Sequence, residues 1–230
     1  MLKPVLAAVL VASFIVSTPP APAGAADAPT HVLQVSGTGV GMYPAYDASI
    51  RRYAATTTQA TFPSNASDPV ANTGASVTVT ATTSDADGTV LVNGVPTTSD
   101  SVTVAGLDAG DEISVVFEDS GGREANAVYV LPADFPTLTA TVKQPGITPG
   151  VVGLTMNQWK NNGWPAFEAA VDANGVPVWS RASLGSDLDL KLQPNGRFSS
   201  SRPILPASPA GYEIVELDAT FQPVATHQTT

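Results

Sequence analysis

The chain is predicted to be all-β, an N-terminal β-sandwich followed by the first one to two blades of an incomplete β-propeller. Three observations predict it. Valine and threonine alternate with a period of two through the first half, the spacing that places every second side chain on one face of a strand. Asn-Gly, Asp-Gly and Gly-Gly pairs punctuate these runs, as tight turns require. Finally, Val171-Asp172-Ala173-Asn174-Gly175-Val176-Pro177-Val178-Trp179 recurs in weakened form 46 residues later, as Leu217-Asp218-Ala219-Thr220-Phe221-Gln222-Pro223-Val224-Ala225. A repeat of about 40–50 residues built from short strands and turns is the signature of propeller blades. Blades need neighbours to cover their faces and edges, so the chain is expected to be a fragment, the front end of something longer.

Residues 1–26 have the features of an export signal. Lys3 supplies the positive start, Val5 to Val16 is an apolar core, and Ala23-Gly24-Ala25 is a small-residue cleavage site. The alternative, a retained membrane anchor, is opposed by the shortness of that core. No other apolar run approaches membrane length, and with no cysteine in the chain neither a lipidated N-terminal cysteine nor a disulfide framework is available. The expected location is secreted, extracytoplasmic or cell-surface, with no integral membrane span after cleavage.

Charge divides the mature chain. Residues 27–134 carry 13 acidic side chains against Arg51, Arg52 and Arg123, whereas residues 135–230 carry seven acidic and six basic ones. This shift supports a domain boundary near Leu131-Pro132, giving a sandwich over 27–134 and the start of a propeller over 135–230. The acidic front argues against nucleic acid or an anionic membrane surface as partner, because counterion release cannot drive such binding.

In the front half, strands are expected at Val32–Val35, Tyr53–Thr57, Val77–Ala81, Val90–Val92, Val102–Val104, Ile113–Phe117 and Val128–Val130. About seven strands in roughly 100 residues is the pattern of a two-sheet sandwich. Asp87-Gly88 and Asn93-Gly94 are expected hairpin turns and Gly121-Gly122 a further breaker. Ser84-Asp85-Ala86-Asp87-Gly88 also has the spacing that opens a calcium loop, with Asp85 and Asp87 as candidate ligands. It lacks the later bidentate acid, and Asp and Gly are what a plain turn needs. Asn65-Ala66-Ser67 is formally a glycosylation sequon and is given no weight.

In the back half, Phe135–Val142 and Val151–Met156 are expected strands around a turn-rich connection. Phe167–Val171 runs through Asn174-Gly175 into Pro177–Arg181 as a hairpin. Leu188–Leu192 does the same through Pro194-Asn195-Gly196 into Arg197–Ser201, and Tyr212–Leu217 and Pro223–Thr226 follow. A second open sandwich is the alternative; the 46-residue offset favours the propeller. Residues 30–134 are expected to fold cooperatively and 135–230 to be fragile, because sheet edges there lack a partner.

Two resemblances follow from these residues. Tyr43-Pro44-Ala45-Tyr46-Asp47, Arg52-Tyr53-Ala54 and Val92-Asn93-Gly94 resemble cadherin-like β-sandwich modules of exported bacterial proteins. Phe135-Pro136, Gln144-Pro145-Gly146-Ile147-Thr148-Pro149-Gly150, the Val171–Trp179 stretch and Leu192-Gln193-Pro194-Asn195-Gly196, in that order, resemble the opening of bacterial exported arylsulfotransferase-like propellers. That likeness implies a sandwich before a six-bladed propeller. It also implies transfer of a sulfuryl group from an aryl sulfate to a phenol through a transiently sulfated histidine, with no nucleotide donor and no cofactor. The implied partners are aryl sulfates and phenols, for the full-length enzyme.

That chemistry needs a nucleophilic nitrogen and cationic donors around the sulfuryl oxygens. The chain has two histidines, His31 and His227. His31 is expected to be a mobile terminal residue, and His227 to end a strand. The family's catalytic histidines lie in Asp-x-His-type segments on inner strands; here Ser186–Leu192 offers Leu188 or Asp189 instead. No catalytic, cofactor-binding or metal-binding residue is therefore assigned, and the chain alone is expected to be inactive. Trp159, Trp164 and Phe167 around Lys160-Asn161-Asn162-Gly163 could form an aromatic platform, but blade packing is the expected role. Arg181, Lys191, Arg197 and Arg202 are expected to be single cations facing solvent. The competing reading is a non-enzymatic binding or adhesion propeller with the sandwich as spacer; a third has the sandwich alone binding a glycan or calcium.

Overall fold

The structure is a computed structural model that describes residues 27–37, 39–56, 75–132, 135–141, 150–156, 166–183, 188–203 and 211–228. Residues 1–26, expected to be an export signal, the sequon, Thr57, Trp159–Trp164, residues 144–149 and Ser186–Asp187 lie outside them. The described residues are all-β, with no helix and several sheets, none of them closed. None of them forms a helix long and apolar enough to cross a membrane.

In the front half the strands are β1 (His31–Ser36), β2 (Met42–Tyr43), β3 (Arg52–Ala55), β4 (Ala75–Thr83), β5 (Thr89–Val92), β6 (Val95–Pro96), β7 (Ser101–Leu107), β8 (Glu112–Asp119) and β9 (Gly122–Val130). They form a three-stranded sheet ordered β1-β4-β7 and a six-stranded sheet ordered β2-β3-β9-β8-β5-β6. Strict alternation along β4 buries Ala75, Val77, Val79 and Ala81 and leaves the intervening threonines more exposed. These residues meet Tyr53, Ile113, Val115, Phe117 and Val128 of the six-stranded sheet in one apolar core. Burial at about 25 cal/mol per Å² of apolar surface makes that core the main stabilising term. The strands β3 and β9 pair in parallel, the other ladders of these two sheets being antiparallel.

Two turns illustrate how local chemistry and long-range pairing divide the work. Asn93 and Gly94, at φ 50 and 77, close β5 onto β6 as the Asn-Gly pair requires. The Asp87-Gly88 turn is not a hairpin: it carries the chain from β4, which pairs with β1 and β7, to β5, which pairs with β6 and β8. A turn residue pair fixes a reversal of direction; which sheet receives the next strand depends on which apolar face it must cover.

In the back half are β10 (Val152–Met156), β11 (Ala166–Val171), β12 (Pro177–Ser183), β13 (Leu188–Leu192), β14 (Phe198–Pro203), β15 (Tyr212–Leu217) and β16 (Pro223–Gln228). They form two antiparallel meanders, β10-β11-β12 and β13-β14-β15-β16. Residues 135–141 are not a strand, contrary to expectation. Instead Phe135 is buried against Phe167, ring centroids 4.9 Å apart, in a core that joins Ala54, Tyr129 and Leu131 of the front half to Ala169, Val171 and Val176. The Tyr129 hydroxyl crosses the same junction, taking the Ser180 N–H at 3.0 Å. Strand β11 is buried along its whole length, because this core covers one face and the second meander covers the other.

The 46-residue repeat is visible in the pairing itself. Val152 lies opposite Val171 and Phe198 opposite Leu217; Val171 opposite Pro177 and Leu217 opposite Pro223. The register shift at Ala170/Val171 recurs at Glu216/Leu217. The turns match as well. Asp172 Oδ1 accepts the N–H groups of Asn174 and Val176, and Asp218 Oδ1 those of Thr220 and Gln222. The left-handed position falls on Gly175 (φ 79) in the first turn and on Phe221 (φ 61) in the second. A non-glycine residue there costs about 1–2 kcal/mol. Phe221 offsets that cost by stacking on Trp179 and packing on Phe198, each 4.7 Å away.

Candidate functional site

The last meander carries an open groove of about 560 Å³ on the face turned away from β10–β12. Alternation along the strands builds it: Lys191 from β13, Ser199 and Ser201 from β14, Ile214 and Glu216 from β15, and His227 from β16. The opposite face of the same strands buries Leu190, Phe198, Val215 and Leu217. Within the groove, Glu216 receives Arg197 Nη1 at 2.7 Å and stands 3.2 Å from His227 Nε2. The Arg197 hydrogen bond, opposed by desolvation and reinforced by the His227 hydrogen bond, holds the Glu216 carboxyl below the usual carboxylate range. Lys191 Nζ pairs with Asp189 at 2.5 Å. Asp189 sits in a bulge of β13 with φ 64, a conformation that Asp tolerates better than most residues.

Chemically this is a histidine–carboxylate pair on an exposed surface, flanked by serine hydroxyls and a glutamine. It can exchange protons and hydrogen-bond a polar ligand. It does not assemble a cradle for a sulfuryl group, because the cations are already paired. Arg197 holds Glu216, Lys191 holds Asp189, Arg202 holds Glu213, and Arg181 reaches Glu168 at 2.5 Å. The expectation that these four cations are single is thus corrected, since each lies across a ladder from, or beside, an acidic side chain, although Lys191 and Arg197 do face solvent. His227 is on β16, opposite Ile214. Leu188 and Asp189, the positions considered for a histidine, are on β13. Phe167 belongs to the core between the two halves, whereas Trp159 and Trp164 lie outside the described residues.

A second cluster was missed by sequence reasoning. His31 is not a mobile terminal residue; it begins β1 opposite Thr83, with its side chain 11% exposed. Its Nε2 is 2.7 Å from Asp119 Oδ2, and its ring lies flat on Phe117 with centroids 4.2 Å apart. On the other side, Nδ1 is 3.4 Å from Glu124 and 3.3 Å from the Tyr46 hydroxyl, which itself donates to Glu124 at 2.8 Å. The His31 hydrogen bond, then that of Thr83, holds the Asp119 carboxyl low. Burial alone would raise Glu124, but the Asn126 amide, the Tyr46 hydroxyl and the nearby Arg51 and His31 charges hold it low as well. Burial and the Glu124 bond push Tyr46 up. The sequence did contain a signal: residue 31 is in phase with Leu33 and Val35, both buried.

Neither cluster is a metal centre. The two His31 nitrogens engage carboxylates on opposite sides of the ring, so the acids do not converge on one point. Among the described residues no group of three or more His, Cys, Asp or Glu side chains could hold a metal ion. Asp85, the calcium candidate, caps backbone instead: its oxygens take the N–H groups of Asp87 at 3.0 Å and Ser120 at 2.8 Å. These hydrogen bonds, led by Ser120, hold its carboxyl low. Comparison with known proteins returns no match, whether to family models, to curated proteins or to solved structures.

Proposed function

We propose that residues 27–134 are a cadherin-like β-sandwich and residues 135–230 the opening blades of an arylsulfotransferase-like propeller, in an exported protein. One observation carries the reading: the pairing register, the bulge and the Asp-capped turn all recur at 46 residues in consecutive meanders. Repeating sheets of this kind are how propellers are built. On this reading the two blades are scaffold, and sulfuryl transfer belongs to other blades that supply an inward histidine and uncommitted cations. His227 is exposed and backed by Glu216, and the arginines near it are held by carboxylates.

The test is to incubate the purified chain with 4-nitrophenyl sulfate and a phenol acceptor. No nitrophenol release above background is expected. Release that disappears in His227→Ala would overturn the scaffold assignment. The second reading, a binding or adhesion surface, is favoured by the polar groove around Glu216 and His227. Calorimetric titration with phenols and with neutral oligosaccharides separates the two, since saturable heat with a glycan, lost in Glu216→Ala, supports binding.

A further inference from the structure

The two sheets of the front half end differently. The six-stranded sheet closes on β2 and β6, edge strands of two residues each, the first running into Pro44 and the second carrying Pro96. Short strands and proline are how a sheet edge is kept from pairing with other chains. The three-stranded sheet ends on β7, seven residues with neither proline nor a charged side chain. Its bulge against β4 lies beyond Val104, so residues 101–104 keep a regular register. The Ala81 N–H donates to the Asp100 carbonyl, and that phase turns the backbone groups of Val102 and Val104 toward β4. The N–H and C=O of Thr103 and the N–H of Ser101 therefore point away from the sheet, while the Ser101 carbonyl takes the Ser99 hydroxyl at 2.8 Å. Among the described residues none pairs with β7 on that side. Beneath the edge Val102 and Val104 are only partly buried, whereas Val77 and Val79 opposite them on β4 are 1% exposed.

Charge marks both ends of this edge. Asp100 precedes β7, and Asp108 and Asp111 follow it. Asp108 Oδ1 is shielded from water with no hydrogen-bond partner, and Asp111 caps the Asp108 N–H at 2.8 Å. The three arginines of residues 27–134 do not offset these acids, being held at Glu124, Glu112 and Glu118. At β1, the other edge of the sheet, the nearby carboxylates Asp119 and Glu124 are already engaged by His31.

We propose that β7 is a seat for strand addition by another polypeptide, an extended segment with lysine or arginine at both ends. Laid antiparallel, the central residue of that segment exchanges both backbone hydrogen bonds with Thr103. The residues on either side of it set apolar side chains beside Val102 and Val104 and complete the rim of the core. Its terminal cations meet Asp100 at one end and Asp108 and Asp111 at the other. A second copy of this chain fits worse, because pairing β7 with β7 brings the same carboxylates together at each end. The inference goes beyond the proposed function: it uses the pairing of the front half alone, whatever the back half builds.

The probe is a fluorescein-labelled peptide, Thr-Val-Thr-Val-Thr flanked by two lysines at each end, titrated with the full chain and read by fluorescence anisotropy. Saturable binding is expected, weakening as salt rises. N-methylation of the peptide's central threonine and Thr103→Pro in the chain should each weaken it about tenfold. The proline removes an N–H that β4 does not use, so the urea midpoint of the variant should be unchanged. The N-methylated peptide interrupts the same ladder without altering the protein. Glutamates in place of the four lysines should abolish binding. Equal binding of the parent and N-methylated peptides would reduce the effect to attraction between opposite charges and overturn the proposal. So would an absence of binding, or a dimer that grows with concentration and disappears in Thr103→Pro, which would make a second copy the occupant.

Discussion

Residues 27–132 and residues 188–228 are both built from short, mostly antiparallel strands rich in β-branched and hydroxyl side chains, yet they differ in what covers them. In the front half two sheets close over Tyr53, Val77, Val79, Ile113 and Phe117, and the six-stranded sheet is covered again on Ala54 and Tyr129 by the first meander. The last meander buries Leu190, Phe198, Val215 and Leu217 on one face and leaves Leu192, Ile214 and Val224 substantially exposed. Strand propensity is similar in the two regions; the area removed from water is not. The difference teaches that these sheets derive stability from the layer laid upon them rather than from their own ladders.

The widest gap should appear on truncating one phenylalanine in each region. Phe117→Ala removes a fully buried ring that also supports His31 and should cost about 3–5 kcal/mol. Phe198→Ala, in the smaller core and slightly exposed, should fall at the low end, about 3 kcal/mol. Urea unfolding followed by far-ultraviolet circular dichroism, which reads the strands of both regions, measures both; equal losses would break the comparison. A smaller gap is expected between two glutamates. Glu168 is fully buried and bonded to Arg181 and Ser200, so Glu168→Ala should cost about 2–3 kcal/mol, the partly exposed Arg181 moderating a larger penalty. Glu216→Ala, whose partners Arg197 and His227 are exposed, should change the urea midpoint only slightly.

The smallest expected effect is on pH dependence. Asp119 and Glu124 have carboxyls held below their unfolded values, so their contribution is present above the ordinary carboxylate range and is lost as pH falls through the folded values. Below a pH of about 4 the thermal midpoint of the front half should therefore drop. Asp119→Asn should flatten that drop while leaving the last meander's response unchanged. An unaltered slope in the variant would show that this cluster does not govern the acid limb.

Much of the fold was legible because period-two alternation and Asn-Gly turns are local signals. The 46-residue offset was legible too, as matched letters, but its depth was not. The offset sets Phe221 against Gly175, but nothing in the sequence says that a phenylalanine would hold that left-handed position, since the compensation comes from Trp179 on a different sheet. The partners of Arg181, Arg197 and Arg202 were hidden for the same reason: each ion pair joins different strands, so it depends on register. The assignment of Asp87-Gly88 to a hairpin failed because turn chemistry does not encode which sheet comes next. His31 was misjudged from its nearness to the expected cleavage site, although the phase of Leu33 and Val35 pointed inward.

The parallel ladder between Arg52–Ala55 and Ala127–Val130 has a bearing on how the chain acquires its shape as it is made. A polypeptide appearing from its N-terminus presents Tyr53 long before the strand that flanks it exists. Until residue 130 has emerged, that tyrosine has no permanent lodging, and the earlier hairpins can only wait. Synthesis that stalled within this interval would leave an apolar segment open to capture by a holding chaperone, which makes the roughly 70 residues between the two paired segments the vulnerable window of its biogenesis.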